Sequence, residues 1–170
     1  MMPICAKESI LVLVHPGSAC GSANFNLGTS AAQAAREALI KELDQWSGGI
    51  VVIDGHLSDE IALHPAYDQA IRACLARAKA SGQAANRVVG DDPEQVDRIR
   101  EFAERGDGSC ARSYIVSGAW YHSADGSGCV GSAVMELQRL DCEVTVSPSA
   151  LDLDAADVDE QANKSTDIPA

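Results

Sequence analysis

Short apolar runs that alternate with amphipathic helical segments constrain the fold of this chain most strongly. The runs at residues 10–14 and 50–53 are apolar at every position, which is typical of strands buried on both faces of a parallel sheet. Between them, residues 31–46 place apolar side chains at helical spacing, and a Gly-Gly pair ends that segment. A strand, a helix and a second strand in this order predict a parallel crossover.

The same alternation continues towards the end of the chain. Further helical spacing occurs at residues 65–80, 91–102 and 130–140, and further short strands are predicted at 88–89, 114–116 and 144–146. The sequence therefore predicts a three-layer α/β/α fold with a mostly parallel central sheet of about five or six strands. We expect residues 1–154 to form a single α/β domain and residues 155–170 to form an acidic, mobile C-terminal tail.

The charge balance bears on the kind of partner. The chain has 25 acidic and 13 basic residues, a formal net charge of -12, and no cluster of Lys and Arg. Nucleic acids and anionic membrane surfaces both require positive charge to displace counterions, so neither is expected as a partner. A small-molecule ligand is expected instead, and close packing of Ala-rich helices is compatible with a homo-oligomer.

The cysteine pattern and the apolar runs bear on the compartment. The N-terminal run at residues 10–14 is too short for a signal peptide core or a membrane span. Six cysteines are present without any CxxC pair, and in a chain without a secretion signal they are expected to be thiols. These features predict a cytoplasmic protein.

Cys129 is the first candidate for chemistry, because it lies where an apolar strand gives way to an amphipathic helix. The unpaired N–H groups and positive dipole at a helix start favour the thiolate, which is the nucleophilic form. The alternative is that Cys129 is a small apolar residue that fills space behind the helix.

In parallel α/β sheets, ligands bind beyond the carboxyl ends of the strands, so the segments after each strand are candidate binding loops. His15 and His122 lie in two of these segments, and either imidazole could act as the base for Cys129, with His15 preferred. The small-residue loop after the first strand could hold an anion through its glycines and hydroxyls. Candidate substrate-binding residues are Ser18, Ser22, Asn24, Trp120, Tyr121 and His122.

A metal site is also predicted after the second strand. Asp54 and His56 are two residues apart at the end of that strand, and His64 follows. One carboxylate and two imidazoles form a common ligand set for zinc, iron or manganese. An accidental arrangement of three such residues is the alternative, so the cofactor remains open between none and a divalent metal.

The order of these features resembles the isochorismatase-like cysteine hydrolases, which include the nicotinamidases. The resemblance rests on the strand at residues 115–119, the Gly128-Cys129-Val130 helix start and the strand at 143–146, with the Asp-x-His motif of residues 54–56. It implies a nucleophilic role for Cys129 and metal ligation by Asp54, His56 and His64. Two departures stand out, because His15 replaces the family's first-strand aspartate and Gly90 stands where a lysine is expected.

Three functions are compatible with these residues. The leading hypothesis is a divergent hydrolase of a small amide or acyl compound, in which Cys129 attacks the carbonyl and His15 accepts the proton. The alternatives are a catalytically inactive ligand-binding or scaffold protein of the same fold, and a flavodoxin-like flavin or nucleotide binder. The last would use the loop from Ser18 to Asn24 for phosphate and an aromatic side chain after the fourth strand for stacking.

Overall fold

A computed structural model describes residues 9–16, 29–55, 65–90, 97–101, 113–119 and 121–155. The strands are β1 (Ser9–Val14), β2 (Gly49–Asp54), β3 (Ala85–Val89), β4 (Ser113–Gly118) and β5 (Glu143–Val146). The helices are α1 (Thr29–Gln45), α2 (Pro65–Ala80) and α3 (Gly128–Arg139), and residues 97–101 are also helical.

The strands form one sheet in the order β3-β2-β1-β4-β5, and every neighbouring pair is parallel. The prediction of a parallel α/β/α fold is therefore confirmed, with five strands in the described part of the chain. The order reverses between β1 and β4, because the chain first extends the sheet on one side and then returns to the other. This reversal is where ligands bind in open parallel sheets.

Alternation along β1 divides the core into two layers. Leu11 and Leu13 belong to the layer that also contains buried residues of α1 and α2, whereas Ile10, Val12 and Val14 face the layer that contains α3 and residues 97–101. All of these β1 side chains are at most 2% exposed. The apolar run therefore belongs to a strand covered by helices on both faces, as predicted.

The edge strands are more polar than the central ones. The sequence predicted only two residues of β3, whereas the strand has five. Asn86 and Arg87 interrupt the apolar pattern, and both are exposed because β3 pairs on one side only. An edge position thus explains why the sequence pattern is shorter than the strand.

The described helices include none that combines the length and hydropathy needed to cross a lipid bilayer. Residues 156–170, which contain almost all of the predicted tail, lie outside the described part of the chain.

Candidate active site

Cys129 is the second residue of α3, close to the position that the sequence predicted. The helix begins with Gly128 at φ 94°, a left-handed conformation that suits glycine. The preceding residue, Ser127, is extended and its side chain makes no capping hydrogen bond. The start of α3 therefore has no side-chain cap from Ser127, and its helix dipole favours negative charge at this position.

The Cys129 side chain is half-buried and packs against the core layer on the α3 face. It is neither sealed in the core nor fully exposed. Cys74 is buried and Cys142 is half-buried, and none of these three cysteines forms a disulfide. All three are therefore thiols, as expected from the sequence, and burial raises the pKa of the Cys74 thiol.

A tight turn brings His122 beside the start of α3. The His122 N–H donates to the carbonyl of Ser127 at 3.1 Å, and the Gly126 N–H donates to the carbonyl of His122 at 2.8 Å. Gly126 has a φ of 72°, and a Cβ on Gly131 of α3 would lie only 1.9 Å from the Gly126 carbonyl oxygen. The turn therefore lies directly against the first turns of the helix that carries Cys129.

Asp154 fixes the His122 ring. The Nδ1 atom of His122 lies 3.0 Å from Oδ1 of Asp154, and Oδ2 of Asp154 accepts the Ala124 N–H at 2.9 Å. The hydrogen bond to Asp154 raises the pKa of His122, and the negative charges of Asp154, Asp125 and Asp152 add to this effect. The Ala124 N–H and then His122 lower the pKa of Asp154.

Asp152 also connects the turn before α3 to the segment that follows β5. Its Oδ1 atom accepts the Ser123 N–H at 3.2 Å and the Asp154 N–H at 3.1 Å. Tyr121 also joins the two segments, because its N–H donates to the Leu151 carbonyl and its carbonyl accepts the Leu153 N–H. Residues 151–154 thus anchor the turn that precedes α3.

His15 has a different environment from the one expected of the base. It is 6% exposed and has a φ of 45°, which is uncommon for a residue other than glycine. Its Nε2 atom lies 2.9 Å from the carbonyl oxygen of Gly90, which follows β3. Since β3 lies on the side of β1 away from β4, this hydrogen bond directs the ring away from the strand that precedes Cys129.

Asp54, the predicted metal ligand, is 9% exposed and is held by Arg87. Arg87 donates from Nε to one carboxylate oxygen at 2.6 Å and from Nη2 to the other at 3.2 Å. The hydrogen bond that Arg87 donates to Asp54 raises the pKa of Arg87, and Asp68 acts in the same direction. Asp54 therefore has a cationic partner within the protein.

Six of the predicted site residues fall outside the described ranges. His56, His64, Ser18, Ser22, Asn24 and Trp120 lie outside the described residues. Within the described ranges, no group of three or more His, Cys, Asp and Glu side chains could hold a metal ion. The predicted ligand set of Asp54, His56 and His64 therefore stays a prediction.

The sequence reasoning did not identify Asp154 or Arg87 as site residues. Asp154 is the last residue of the predicted domain, and it follows buried Leu151 and Leu153, which packs against the core. Apolar residues at every second position beside an Asp-x-Asp pair were the available signal for an ordered segment. Arg87 lies inside the edge strand β3, and the short apolar pattern of this strand gives no signal for a site residue.

Comparison with known proteins identifies no family and only weak structural similarities. No protein-family model matches the chain, and no curated protein matches it. A ribonuclease structure, MAR1 from Caenorhabditis elegans, is 10% identical with a TM-score of 0.49, over 96% of this chain and 76% of that one. A universal stress protein family member from Burkholderia pseudomallei is 16% identical with a TM-score of 0.35, over 83% of this chain and 96% of that one. At these values neither similarity assigns an activity.

Proposed function

We propose that the protein is a cysteine hydrolase of small amide or acyl compounds, with Cys129 as the nucleophile and His122 as its proton acceptor. The observation that carries the proposal is the pairing of His122 with Asp154 in the turn that leads directly into the helix start bearing Cys129. A thiol, an imidazole and a carboxylate that orients the imidazole form the set that activates cysteine nucleophiles.

The choice of His122 over His15 follows from hydrogen bonding. His15 is committed to the Gly90 carbonyl on the β3 side of the sheet, whereas His122 is joined by its backbone to Ser127, two residues before Cys129. Since Asp154 raises the pKa of His122, the ring is positively charged over more of the pH range. Positive charge near a thiol favours the thiolate, as does the start of α3.

The reaction would take two steps. The Cys129 thiolate attacks the carbonyl carbon, the C–N or C–O bond of the substrate breaks, and the leaving group takes a proton from the His122 imidazolium. Water then attacks the thioester, giving its proton to His122 while the C–S bond breaks. Backbone N–H groups at the start of α3 would stabilise the oxyanion in both steps.

This assignment keeps the cysteine at a helix start that the isochorismatase-like hydrolases have. It replaces the family's acidic and basic partners with His122, which precedes Cys129 in the chain, and Asp154, which follows it. A small-molecule substrate agrees with the acidic surface of the chain. A divalent metal at Asp54, His56 and His64 would fit the same family, and the Arg87 contact of Asp54 would have to open for it.

Thiol alkylation tests the proposal. The full-length protein is treated with iodoacetamide at pH 6.5, and the modification of each cysteine is followed by mass spectrometry. We expect Cys129 to react about tenfold faster than Cys142, because the start of α3 and the imidazolium of His122 favour the thiolate form of Cys129. Cys142 is a suitable internal control because it is also half-buried.

Two variants separate activation from simple exposure. His122→Asn and Asp154→Asn should both slow the alkylation of Cys129 and leave that of Cys142 unchanged. Asp141→Asn is the matched control, since Asp141 is exposed on the turn after α3 and carries the same charge change. Equal reaction rates of Cys129 and Cys142 in the unmodified protein would overturn the proposal and favour a non-catalytic binding protein.

A further inference from the structure

A second polar cluster lies on the opposite face of the sheet from Cys129. The side chain of Ser117 in β4 points to the α1 face, in register with Leu13, and is fully buried. Ser147 and Ser149 follow β5 and are 4% and 8% exposed. Glu42 of α1 completes the group, which we call the serine–glutamate cluster: Glu42, Ser117, Ser147 and Ser149.

The hydroxyl protons of this cluster are all used within it. Ser147 Oγ donates to Oε1 of Glu42 at 2.6 Å, and Ser149 Oγ donates to Oε2. Ser117 Oγ lies 2.6 Å from Ser149 Oγ, and Ser117 is the donor because Ser149 has already given its single proton to the carboxylate. The cluster therefore presents oxygen lone pairs and a negative charge to any ligand.

An open cleft of about 510 Å³ exposes part of this cluster, since Glu42, Ser147 and Ser149 line it. Trp46 also lines the cleft, and its Nε1–H donates to the Gly49 carbonyl at 2.8 Å. A Cβ on Gly48 would lie 2.9 Å from Cζ2 of Trp46, so the ring is held against the backbone. With its N–H engaged, the indole offers only its apolar ring surface to the cleft.

We propose that this cleft binds a small primary ammonium compound with an apolar or aromatic body. The lone pairs of the serine–glutamate cluster require a ligand that donates hydrogen bonds, and the carboxylate favours one that is positively charged. The indole of Trp46 suits both the apolar body and the cation. The net charge of -12 attracts cations to the protein as a whole.

Lys41 limits the affinity. Lys41 also lines the cleft and is exposed, so its ammonium group repels the positively charged ligand. A shallow, open site with one opposing charge is expected to bind a small amine with a dissociation constant on the order of 0.1–1 mM.

The test compares three probes of similar shape on the unmodified, full-length protein: benzylammonium, benzyl alcohol and benzyltrimethylammonium. Binding is followed by ¹H–¹⁵N NMR, with the indole N–H of Trp46 and the backbone amides of Ser147, Ser149, Ala150 and Leu151 as reporters. Benzylammonium should give saturable shifts at these positions and bind about tenfold or more tightly than either other probe. Equal affinity for the alcohol or the quaternary amine, or no saturable shift with benzylammonium, would overturn the proposal.

A pair of variants locates the charge that matters. Glu42→Gln should weaken benzylammonium binding about tenfold or more, because a charge-assisted hydrogen bond is lost. Glu37→Gln on the same helix is the control, since Glu37 is exposed and does not line the cleft, and it should change the affinity by less than about twofold. Equal effects of the two substitutions would refute the assignment, and the three-probe comparison decides the question if Glu42→Gln does not fold.

Discussion

At the residue scale, Gly118 determines how closely the two central strands approach at their carboxyl ends. It has a φ of 121°, and a Cβ at this position would lie 1.9 Å from the carbonyl oxygen of Val14. The following residue, Ala119, donates its N–H to the same oxygen at 2.9 Å. His15, next to Val14, also has a positive φ. Unusual backbone conformations therefore meet where the strand order reverses, which is where strain is tolerated for function.

Replacing Gly118 with alanine should destabilise the fold strongly. We expect Gly118→Ala to lower the free energy of unfolding by about 2–4 kcal/mol, through backbone strain and a steric clash with β1. Gly82→Ala is the matched control, because Gly82 has a φ of 69° but no neighbour within 4 Å, and it should cost only about 1 kcal/mol. Urea unfolding followed by circular dichroism measures both values, and equal losses would contradict the role given to the Val14 contact.

Some individual site residues were predictable from sequence and others were not. The position of Cys129 at a helix start follows from local pattern, since an apolar strand precedes it and an amphipathic helix follows. The hydrogen-bond partners of the histidines do not follow from local pattern. His122 binds Asp154 at a separation of 32 residues, and His15 binds Gly90 at a separation of 75. Contacts of this kind depend on the packing of whole elements, which local spacing does not record.

At the scale of elements, the turn before α3 and the segment after β5 form one unit with the helix start. Gly131 allows the turn to lie on α3, and Asp152 and Asp154 bind the turn through three backbone and side-chain groups. The ring of His122 is therefore oriented by an element that lies beyond the last strand. Substitutions in residues 151–154 should affect the chemistry of a histidine about thirty residues earlier.

The titration of His122 tests this coupling. The pKa of His122 is raised and that of Asp154 is lowered, so their mutual stabilisation is present between the two pKa values. It is lost as the pH rises through the raised pKa of His122 and as the pH falls through the lowered pKa of Asp154. In Asp154→Asn, the pKa of His122 should fall towards its ordinary value near about 6.5.

The measurement is the NMR titration of the His122 imidazole. Asp141→Asn serves as the control, because Asp141 does not contribute to the raised pKa of His122, and it should leave the titration unchanged. An unchanged His122 pKa in Asp154→Asn would show that the ion pair does not orient the ring in solution.

Element boundaries were predictable where strong local signals flank them. The helix at residues 65–80 was predicted with the bounds of α2, because Pro65 begins it and Gly82 follows its end. The edge strand β3 was predicted too short, because its polar residues face solvent or an ion pair. Local pattern is therefore most informative in the centre of the sheet and least informative at its edges.

At the scale of the whole molecule, the alternation of strands and helices predicted the layered parallel architecture but not the order of strands. The order depends on which side each crossover takes, and that is set by packing between distant segments. The resulting fold separates two candidate sites. Cys129 packs on the α3 face, whereas the serine–glutamate cluster and its cleft belong to the α1 face.

The net charge also acts on the whole molecule. A charge of -12 disfavours the formation of one more anion, so a reactive thiolate at Cys129 requires a local field that outweighs it. The start of α3 and the imidazolium of His122 are the sources of that field in our account. Activation of the Cys129 thiol decides between the proposed functions, because a cysteine hydrolase requires a reactive thiolate and a binding protein does not.

The most direct test is the reaction of the full-length protein with p-nitrophenyl acetate. Our account predicts a burst of about one equivalent of p-nitrophenol, an acetyl group on Cys129 by mass spectrometry, and slow hydrolysis that restores the thiol. Asp154→Asn should reduce the burst rate, and Asp141→Asn should not. A reaction without a burst, or acetylation distributed over several cysteines with none preferred, would contradict the assignment of Cys129 as a catalytic nucleophile.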